Sequence, residues 1–589
     1  KSTLIRRATP MTAAERRPDM PHDRRPWFPG WFPAVTLLLF LGPIAAGLIG
    51  TLLPAFGYLP SLGGEHLGLG PWRALLATPG LDKAVGLSLL TGAGSTLIAF
   101  LITVLLFASG HGTPAFNRAK RAMTPLLAVP HLAMAVGLAF LLAPSGWIIR
   151  LISPWPTGFD TPPDIALVQG PYGIALTLGL VIKELPFLLL MTFSALGQVR
   201  ADDQIRMARS LGYGPVQAWL KVVLPLVYPQ IRLPIYAVLA FSLSVVDMAM
   251  VLGPTTPPTL APLVLRWFND PELTMRFQAA AGAVLQLLIV LGAIACWRLA
   301  EGAIARLLRP WLIGGRRGSD GWLARICAWS GLGLLFALAG GSLASLLVWS
   351  IAGRWRFPSA WPDGLSLKTW TTQAASLAMP AWTTLAVGTA ATAAALVLVI
   401  GCLEHESRRQ RQPGPGALTL IYIPLLIPQI GFLFGVQVAL VRARLDGGWI
   451  GLIWSHLLFV LPYVFLALAD SYRALDPRYA RIAQMLGRSS WSVLFRIKLP
   501  MLLRPVLIAA AVGFAVSVAQ FLPTQFIGAG RLSTLTTEAL SLAAGGNRRV
   551  VGLFAIVLAA LPLIGFALAT LIPAWRFRHR RAMAIGDAA

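Results

Sequence analysis

The sequence has 589 residues, of which 56% are hydrophobic and only 12% charged, with a formal net charge of +26. Soluble chains of this size carry roughly 25% charged residues, so an ordinary soluble domain is excluded and an all-α integral membrane protein is expected. The basic excess is topology rather than a nucleic-acid footprint: Lys and Arg are scattered over loop ends with no aromatic-interleaved patch.

Residues 1–31 read as a basic tail carrying Lys1, Arg6, Arg7, Arg16, Arg17, Arg24 and Arg25. The apolar run from Phe32 is too long for a signal-peptide core, so it is expected to be an uncleaved first span. Further runs give twelve expected spans near 32–53, 84–107, 124–149, 171–196, 233–253, 279–299, 326–351, 381–403, 418–441, 449–470, 505–529 and 551–572. Each is long enough to cross ~30 Å of hydrocarbon. Loops assigned to alternate sides place 35 Lys and Arg on the side of the tails and 13 on the other, with Lys183 inside a span. The positive-inside rule then puts both termini in the cytoplasm. Cys296, Cys327 and Cys402 show no CxxC or Cys/His spacing, so neither a structural disulfide nor zinc is expected.

The polar stretch 301–325, with Gly314-Gly315, separates a first half (32–300) from a second (326–572); residues 573–589 form another basic tail. The halves repeat. Pro130-His131 and Gly137 correspond to Pro428-Gln429 and Gly435, Leu185-Pro186 to Leu461-Pro462, and "FSLSVVD" (241–247) to "FAVSVAQ" (514–520). Each half begins on the same side and has six spans, so the duplication is parallel.

The most informative repeat is polar. "RMARSLGYGPVQAWLKVVLP" (206–225) and "ARIAQMLGRSSWSVLFRIKLP" (480–500) share a Leu-Gly pair followed thirteen residues after the Gly by a Pro. Ile205, Ala208 and Leu211 lie on one helical face, with Arg206 and Arg209 off it; Ile482, Met485 and Leu486 repeat the pattern in the second copy. Gly212 and Gly487 are expected to break the helix, and Leu224-Pro225 and Leu499-Pro500 to end each loop as the chain re-enters the membrane. Two such loops on the cytoplasmic side suit docking to a two-fold soluble partner.

At these residues the chain resembles the permease subunit of bacterial binding-protein-dependent ABC importers, in the fused form that carries both halves. The family hallmark is Glu-Ala-Ala, three residues, Gly and a later Pro. Ala208, Gly212 and Pro225, and again Ala483, Gly487 and Pro500, match it, while Arg206-Met207 and Arg481-Ile482 depart from the Glu-Ala. Among fused permeases it is most similar to the ferric-iron and thiamine type, including members of unassigned substrate, on "VVDMAMVLG" around Asp247 and "GAGRLSTLTTEALSLAAGG" (528–546). The resemblance implies a type I importer permease fold of about twelve transmembrane helices in the bacterial inner membrane, surrounded by lipid. It further implies a small-molecule substrate, a periplasmic binding protein that delivers it and a homodimeric ATP-binding subunit holding ATP and Mg. This chain lacks GxxxxGK[ST] and is expected to be non-catalytic, with no cofactor of its own.

Intramembrane polar residues are the candidates for a substrate path. Asp247 and its repeat partner Gln520, with Gln525 nearby, suggest a polar pair across the two-fold axis; His131 and Gln429 follow matching prolines. Each also has a packing reading. Lys183 and Glu184 are expected to pair structurally with other spans, and Glu404, His405 and Glu406 to be a solvated loop rather than a metal cluster. Asp160, Asp164, Asp270 and Glu272 are candidate contacts for the binding protein. The rival readings are an ion-gradient-driven secondary transporter using Asp247, Lys183 and Glu184 as a proton relay, and a membrane scaffold without transport. The secondary transporter needs no docking loops.

Overall fold

A computed structural model describes residues 30–318, 321–409 and 414–578. Among the described residues there is no β-strand, and ten helical segments are long and apolar enough to cross a membrane; two bent pairs raise this to twelve if each is one span. The first half runs α1 (Phe32–Ala55), α2 (Leu81–Gly110), α3 (Pro114–Ala128), α4 (His131–Leu142), α5 (Ile174–Gln198), α6 (Ala201–Ser210), α7 (Leu224–Ser244), α8 (Asp247–Leu252), α9 (Leu260–Phe268) and α10 (Met275–Leu307). The second half repeats this order: α11 (Trp322–Ile351), α12 (Ala374–Arg409), α13 (Pro415–Leu426), α14 (Ile430–Arg442), α15 (Trp449–Arg473), α16 (Pro477–Met485), α17 (Leu503–Val518), α18 (Leu522–Ile527), α19 (Leu535–Ala543) and α20 (Arg548–Arg576).

Four of the expected spans are not continuous helices. The run 124–149 is split between α3 and α4, because Pro130 forces Val129 into an extended conformation (ψ 127°) and offers no N–H. The carbonyl this orphans, four residues back, is Leu126 O. Lys183 Nζ supplies the missing donor at 2.9 Å and bonds Val129 O at 2.6 Å. The equivalent break at Ile427-Pro428 turns the chain by 102°. The runs 233–253 and 505–529 also break, at Val245-Val246 and between Val518 and Leu522, into α7 plus α8 and α17 plus α18. Buried carbonyls freed at these breaks find side-chain donors: Gln286 Nε2 to Leu243 O at 3.1 Å, and Thr536 Oγ1 to Val518 O at 2.5 Å.

The halves are interlocked through their first helices. α1 packs along α14 of the second half, and α11 along α4 of the first. The paired glycines read from the sequence sit at these crossings. A Cβ on Gly435 would lie 2.0 Å from Gly47 O, and one on Gly137 2.5 Å from Ser342 O, so only hydrogen fits. Cross-half bonds run beside them, Ser345 Oγ to Gly137 O at 2.9 Å and Gly435 N–H to Thr51 Oγ1 at 3.2 Å. Within each half, α9 and α19 are pinned by the same device. Leu260 N–H donates to Ser88 Oγ at 2.8 Å, and Leu535 N–H to Thr384 Oγ1 at 2.9 Å.

Candidate functional site

The two Leu-Gly loops lie at corresponding places and share a backbone. In α6, Ala208 is buried while Arg206, Arg209 and the following Leu211 are exposed; in α16, Ala483 is buried while Arg481, Met485 and Leu486 are exposed. Asp476 caps α16, its carboxylate accepting from Arg478 N–H at 2.8 Å. Gly212 (φ +85°) and Gly487 (φ +75°) then turn the chain through the left-handed region, which a Cβ penalises.

Leu224-Pro225 does not end the first loop, contrary to expectation. The chain winds helically from Pro215 to Ser244. It accommodates Pro225 by widening one turn, in which Leu224 N–H donates to Trp219 O, five residues back. Leu499 N–H donates likewise to Leu494 O, but after Leu499-Pro500 the second path bends by 79° into α17.

The loops are held to the bundle by different chemistry. In the first half Trp219 is fully buried and stacks on Phe107 (centroids 5.9 Å apart), which meets Phe116 and Phe193 edge-on at 4.9 and 4.8 Å. In the second half the anchor is Glu404 at the end of α12. It accepts from Lys498 Nζ at 2.7 Å, Tyr472 Oη at 2.5 Å and Arg408 Nε at 2.8 Å. Glu406 accepts from Arg473 Nε at 2.7 Å. The reading of Glu404, His405 and Glu406 as a solvated loop is therefore corrected. α12 continues past them, and its last turn is ordered by cations from α15 and the second loop. No group of metal-ligating side chains occurs among the described residues.

The candidate path residues cluster at the helix breaks. His131 opens α4 with its ring 4.8 Å from that of Phe241. Asp247 is buried and opens α8, while Gln520 is buried in the break before α18 and Gln525 is exposed on α18. Gln520 accepts from Gln429 Nε2 at 3.4 Å, so its partner is the proline-break residue of its own half and not Asp247. The expected pair across the axis is not formed. Lys183 is structural, as expected, but its partners are the carbonyls at the Pro130 break; Glu184 lies buried beside Ser242.

Two polar clusters were not anticipated. His456, fully buried, bonds Ser517 Oγ through Nδ1 at 2.8 Å and Thr524 Oγ1 through Nε2 at 3.0 Å, stitching the α17–α18 break. Glu301 belongs to α10, not to a free linker. It accepts from Tyr228 at 2.7 Å and Tyr236 at 2.8 Å, and pairs with Arg232 and Arg298 at 3.0 and 2.8 Å. The signal was there: Tyr228, Arg232 and Tyr236 recur every four residues on one helical face.

A helical bundle of two parallel repeats, crossing a membrane and presenting paired helix–glycine–helix loops, defines a transporter's membrane subunit. Residues 400–575 match the family of binding-protein-dependent transport system inner membrane components. Over 547 residues the chain is 32% identical to the inner membrane ABC transporter permease protein YnjC of Escherichia coli (strain K12), covering 92% of this chain and 97% of that protein. The chain belongs to the binding-protein-dependent ABC transporter permeases, which are multi-pass inner-membrane, non-catalytic transport subunits. Shorter similarities reach the molybdenum transport system permease protein ModB of Haemophilus influenzae, 29% identical over 25% of this chain and 72% of that protein. They also reach a spermidine/putrescine transport system permease protein PotC homolog of Mycoplasma genitalium, 27% identical over 27% of this chain and 51% of that protein.

Proposed function

We propose that this chain lines the translocation path of an ATP-driven importer and couples to a separate homodimeric ATP-binding subunit through its two Leu-Gly loops on the cytoplasmic side. A periplasmic binding protein delivers the small-molecule substrate, and ATP and Mg reside on the ATP-binding partner. The observation that carries this reading is the duplicated α6–Gly212 and α16–Gly487 geometry, each copy ending in exposed apolar side chains beside a left-handed glycine. A rigid turn carrying an exposed apolar tip is suited to a groove in a soluble partner. Two copies in one chain match a two-fold partner.

In this reading the path runs past the helix breaks, where unwound backbone and polar side chains meet inside the bundle: His131 and Asp247 in one half, Gln429, Gln520 and Gln525 in the other. Discontinuous helices at membrane depth are tolerated where they are buried in protein or face a water-filled cavity. The relay reading has less support, because Lys183 is committed to two backbone carbonyls. The relatives with a named cargo, molybdenum and spermidine/putrescine, each match only about a quarter of the chain, so no substrate is carried over from them.

The test is a double variant with Gly212→Leu and Gly487→Leu, reconstituted with the ATP-binding subunit that co-purifies with the native chain. Substrate uptake and stimulation of ATP hydrolysis should both collapse while the variant remains monodisperse. Unchanged uptake and stimulation would refute the docking assignment.

A further inference from the structure

On the side away from the Leu-Gly loops, the two halves fold alike and are charged differently. In each half a cavity opens between the chain leaving the first helix, a short helix before the second, and the start of the last. In the first half it measures about 430 Å³; its lining includes Gly57, Leu62, Pro71, Ala74, Phe277 and Gln278, and no charged side chain. In the second half it measures about 520 Å³ and is lined by Arg354, Lys368 and Arg549 beside Ser366, Thr369 and Gln373. Lys368 belongs to the short helix Lys368–Thr372 and Arg549 to the first turn of α20. Among the described residues none of these three side chains makes a hydrogen bond or ion pair. Like charges gathered without an acid repel one another, so the arrangement calls for an anionic group from outside the chain.

The imbalance extends over the whole face. Between spans on this side the first half carries five Lys and Arg against six Asp and Glu, a net charge of −1. The second half carries eight Lys and Arg against three acids, Asp363, Asp446 and Glu538, a net charge of +5.

The cations of the second half sit on an ordered platform. Residues 351–366 form a tight hairpin, in which Gly353 N–H donates to Gly364 O at 2.8 Å, Asp363 N–H to Arg354 O at 2.9 Å and Ser366 N–H to Ile351 O at 2.8 Å. The first half holds its tip. Buried Arg150 donates through Nη1 to Arg356 O at 2.8 Å and Ser359 O at 3.2 Å, and Trp147 Nε1 to Ala360 O at 3.1 Å. Trp361 meets Trp147 edge-on, with centroids 5.3 Å apart, yet stays 59% exposed. An exposed Trp on pinned backbone, rimmed by unpaired Arg and Lys, has the composition of a protein-binding hot spot.

We propose that this platform receives an acidic surface at one end of the periplasmic binding protein, and that the unlike charge of the two halves fixes which way round that partner docks. Lipid headgroups also carry anions, but both halves stand in the same bilayer. Headgroup binding gives no reason for a cationic cavity in one half and, in the other, an uncharged one whose lining Thr274 bonds Glu272. The proposal rests on the delivery reading above and adds the docking surface and its polarity.

The experiment uses the full chain with its ATP-binding subunit in lipid nanodiscs, titrated with the binding protein that co-purifies with the native complex. Arg354→Glu, Lys368→Glu and Arg549→Glu together should weaken binding about tenfold or more at ~50 mM salt. The loss should shrink at ~0.5 M salt, where exposed charges are screened. Arg73→Glu, Lys83→Glu and Arg276→Glu make the same change in net charge on the first half and should leave the affinity within about twofold. Both triple variants should keep the parental ATP hydrolysis measured without binding protein, which reports an intact fold. p-Benzoylphenylalanine in place of Trp361 should cross-link to an acidic segment of the binding protein, and in place of Tyr58 to a different segment. Equal weakening by the two triples, no weakening by the first, or one segment reached from both positions would overturn the proposal. So would loss of bound phosphatidylglycerol from the first triple, seen by native mass spectrometry, with the affinity for the binding protein unchanged; that result gives the cavity to lipid. A parental complex that binds no such protein would overturn the delivery reading as well, whereas parental binding that survives the first triple overturns this proposal alone.

Discussion

The two halves use one backbone and two sets of side-chain chemistry. Where the first half anchors its loop with the Phe107–Trp219 stack, the second uses Glu404, Lys498 and Tyr472. Where Gln286 satisfies a carbonyl at the Val245-Val246 break, Thr536 does so at the corresponding break after Val518, with His456 stitched across. What both halves keep is what the main chain demands: left-handed glycines at the loops, widened turns before Leu-Pro, proline breaks, and glycines at the helix crossings. Duplication has thus preserved positions where only backbone geometry can do the work, and released those where an aromatic stack or an ion pair serves equally.

The comparison breaks most severely at the crossings. Gly435→Leu drives a side chain into the Gly47 backbone, and Gly137→Leu into that of Ser342. Overpacking costs ~1–3 kcal/mol or more even where neighbours can yield, and here the obstacle is main chain. Both variants should lose most of their monodisperse yield in detergent. A Gly435→Leu chain that keeps the parental melting midpoint would disprove the interlock.

Next come the anchors. Glu404→Ala leaves Lys498 buried without its carboxylate, at a cost of ~3–5 kcal/mol; Phe107→Ala should cost a similar ~3–5 kcal/mol by leaving a cavity. The distinction is rescue. Glu404→Leu combined with Lys498→Met should recover much of the lost melting temperature, since a buried pair can be exchanged for apolar packing. No rescue at all would mean that the cluster orders the loop beyond charge balance.

Lys183→Met frees two carbonyls at the Pro130 break, at ~1–3 kcal/mol. The Pro428 break has no lysine at the matching position, which is Phe459. Phe459→Leu should therefore be milder in the same melting assay, and an equal effect would remove lysine capping as the reason. The smallest effect is at the loop glycines. Gly212→Ala and Gly487→Ala each place a Cβ in left-handed backbone, at ~1–2 kcal/mol. Around Gly487 there is open space, while at Gly212 the Cβ meets only the flexible Arg317 side chain at 3.2 Å. The two should melt within a degree or two of each other; a clearly larger loss at Gly212 would show the linker pressing on the loop.

Span number was legible because an apolar run long enough to cross hydrocarbon is a local signal, and so was the loop glycine, fixed by its spacing to Leu and Pro. The breaks were harder. Val245-Val246 and Ala519 are as apolar as the helices around them, and the donor that satisfies the carbonyls at the Pro130 break, Lys183, bonds across 54 and 57 residues. The Glu404 cluster was illegible for the same reason: Tyr472 and Lys498 lie 68 and 94 residues away. Beside its neighbours Glu406 and Arg408, Glu404 looks like solvated charge. Of the candidate path residues, the sequence set His131 and Gln429 after matching prolines and Asp247 and Gln520 at matching points inside spans, but it did not show the breaks beside Asp247 and Gln520 or the Gln429–Gln520 bond, which only the bent chain creates.

The crossing of α1 with α14 also has a cost in time. Gly435 and Thr51, bonded across it, are 384 residues apart. At about 5–20 residues per second of synthesis, α1 spends on the order of 20–80 s in the bilayer before its partner has been made. Throughout that interval its Gly47–Gly50 groove faces lipid or a borrowed neighbour. α1 therefore finds its place late, and the crossing cannot close until nearly half of the second half, through α14, has been translated.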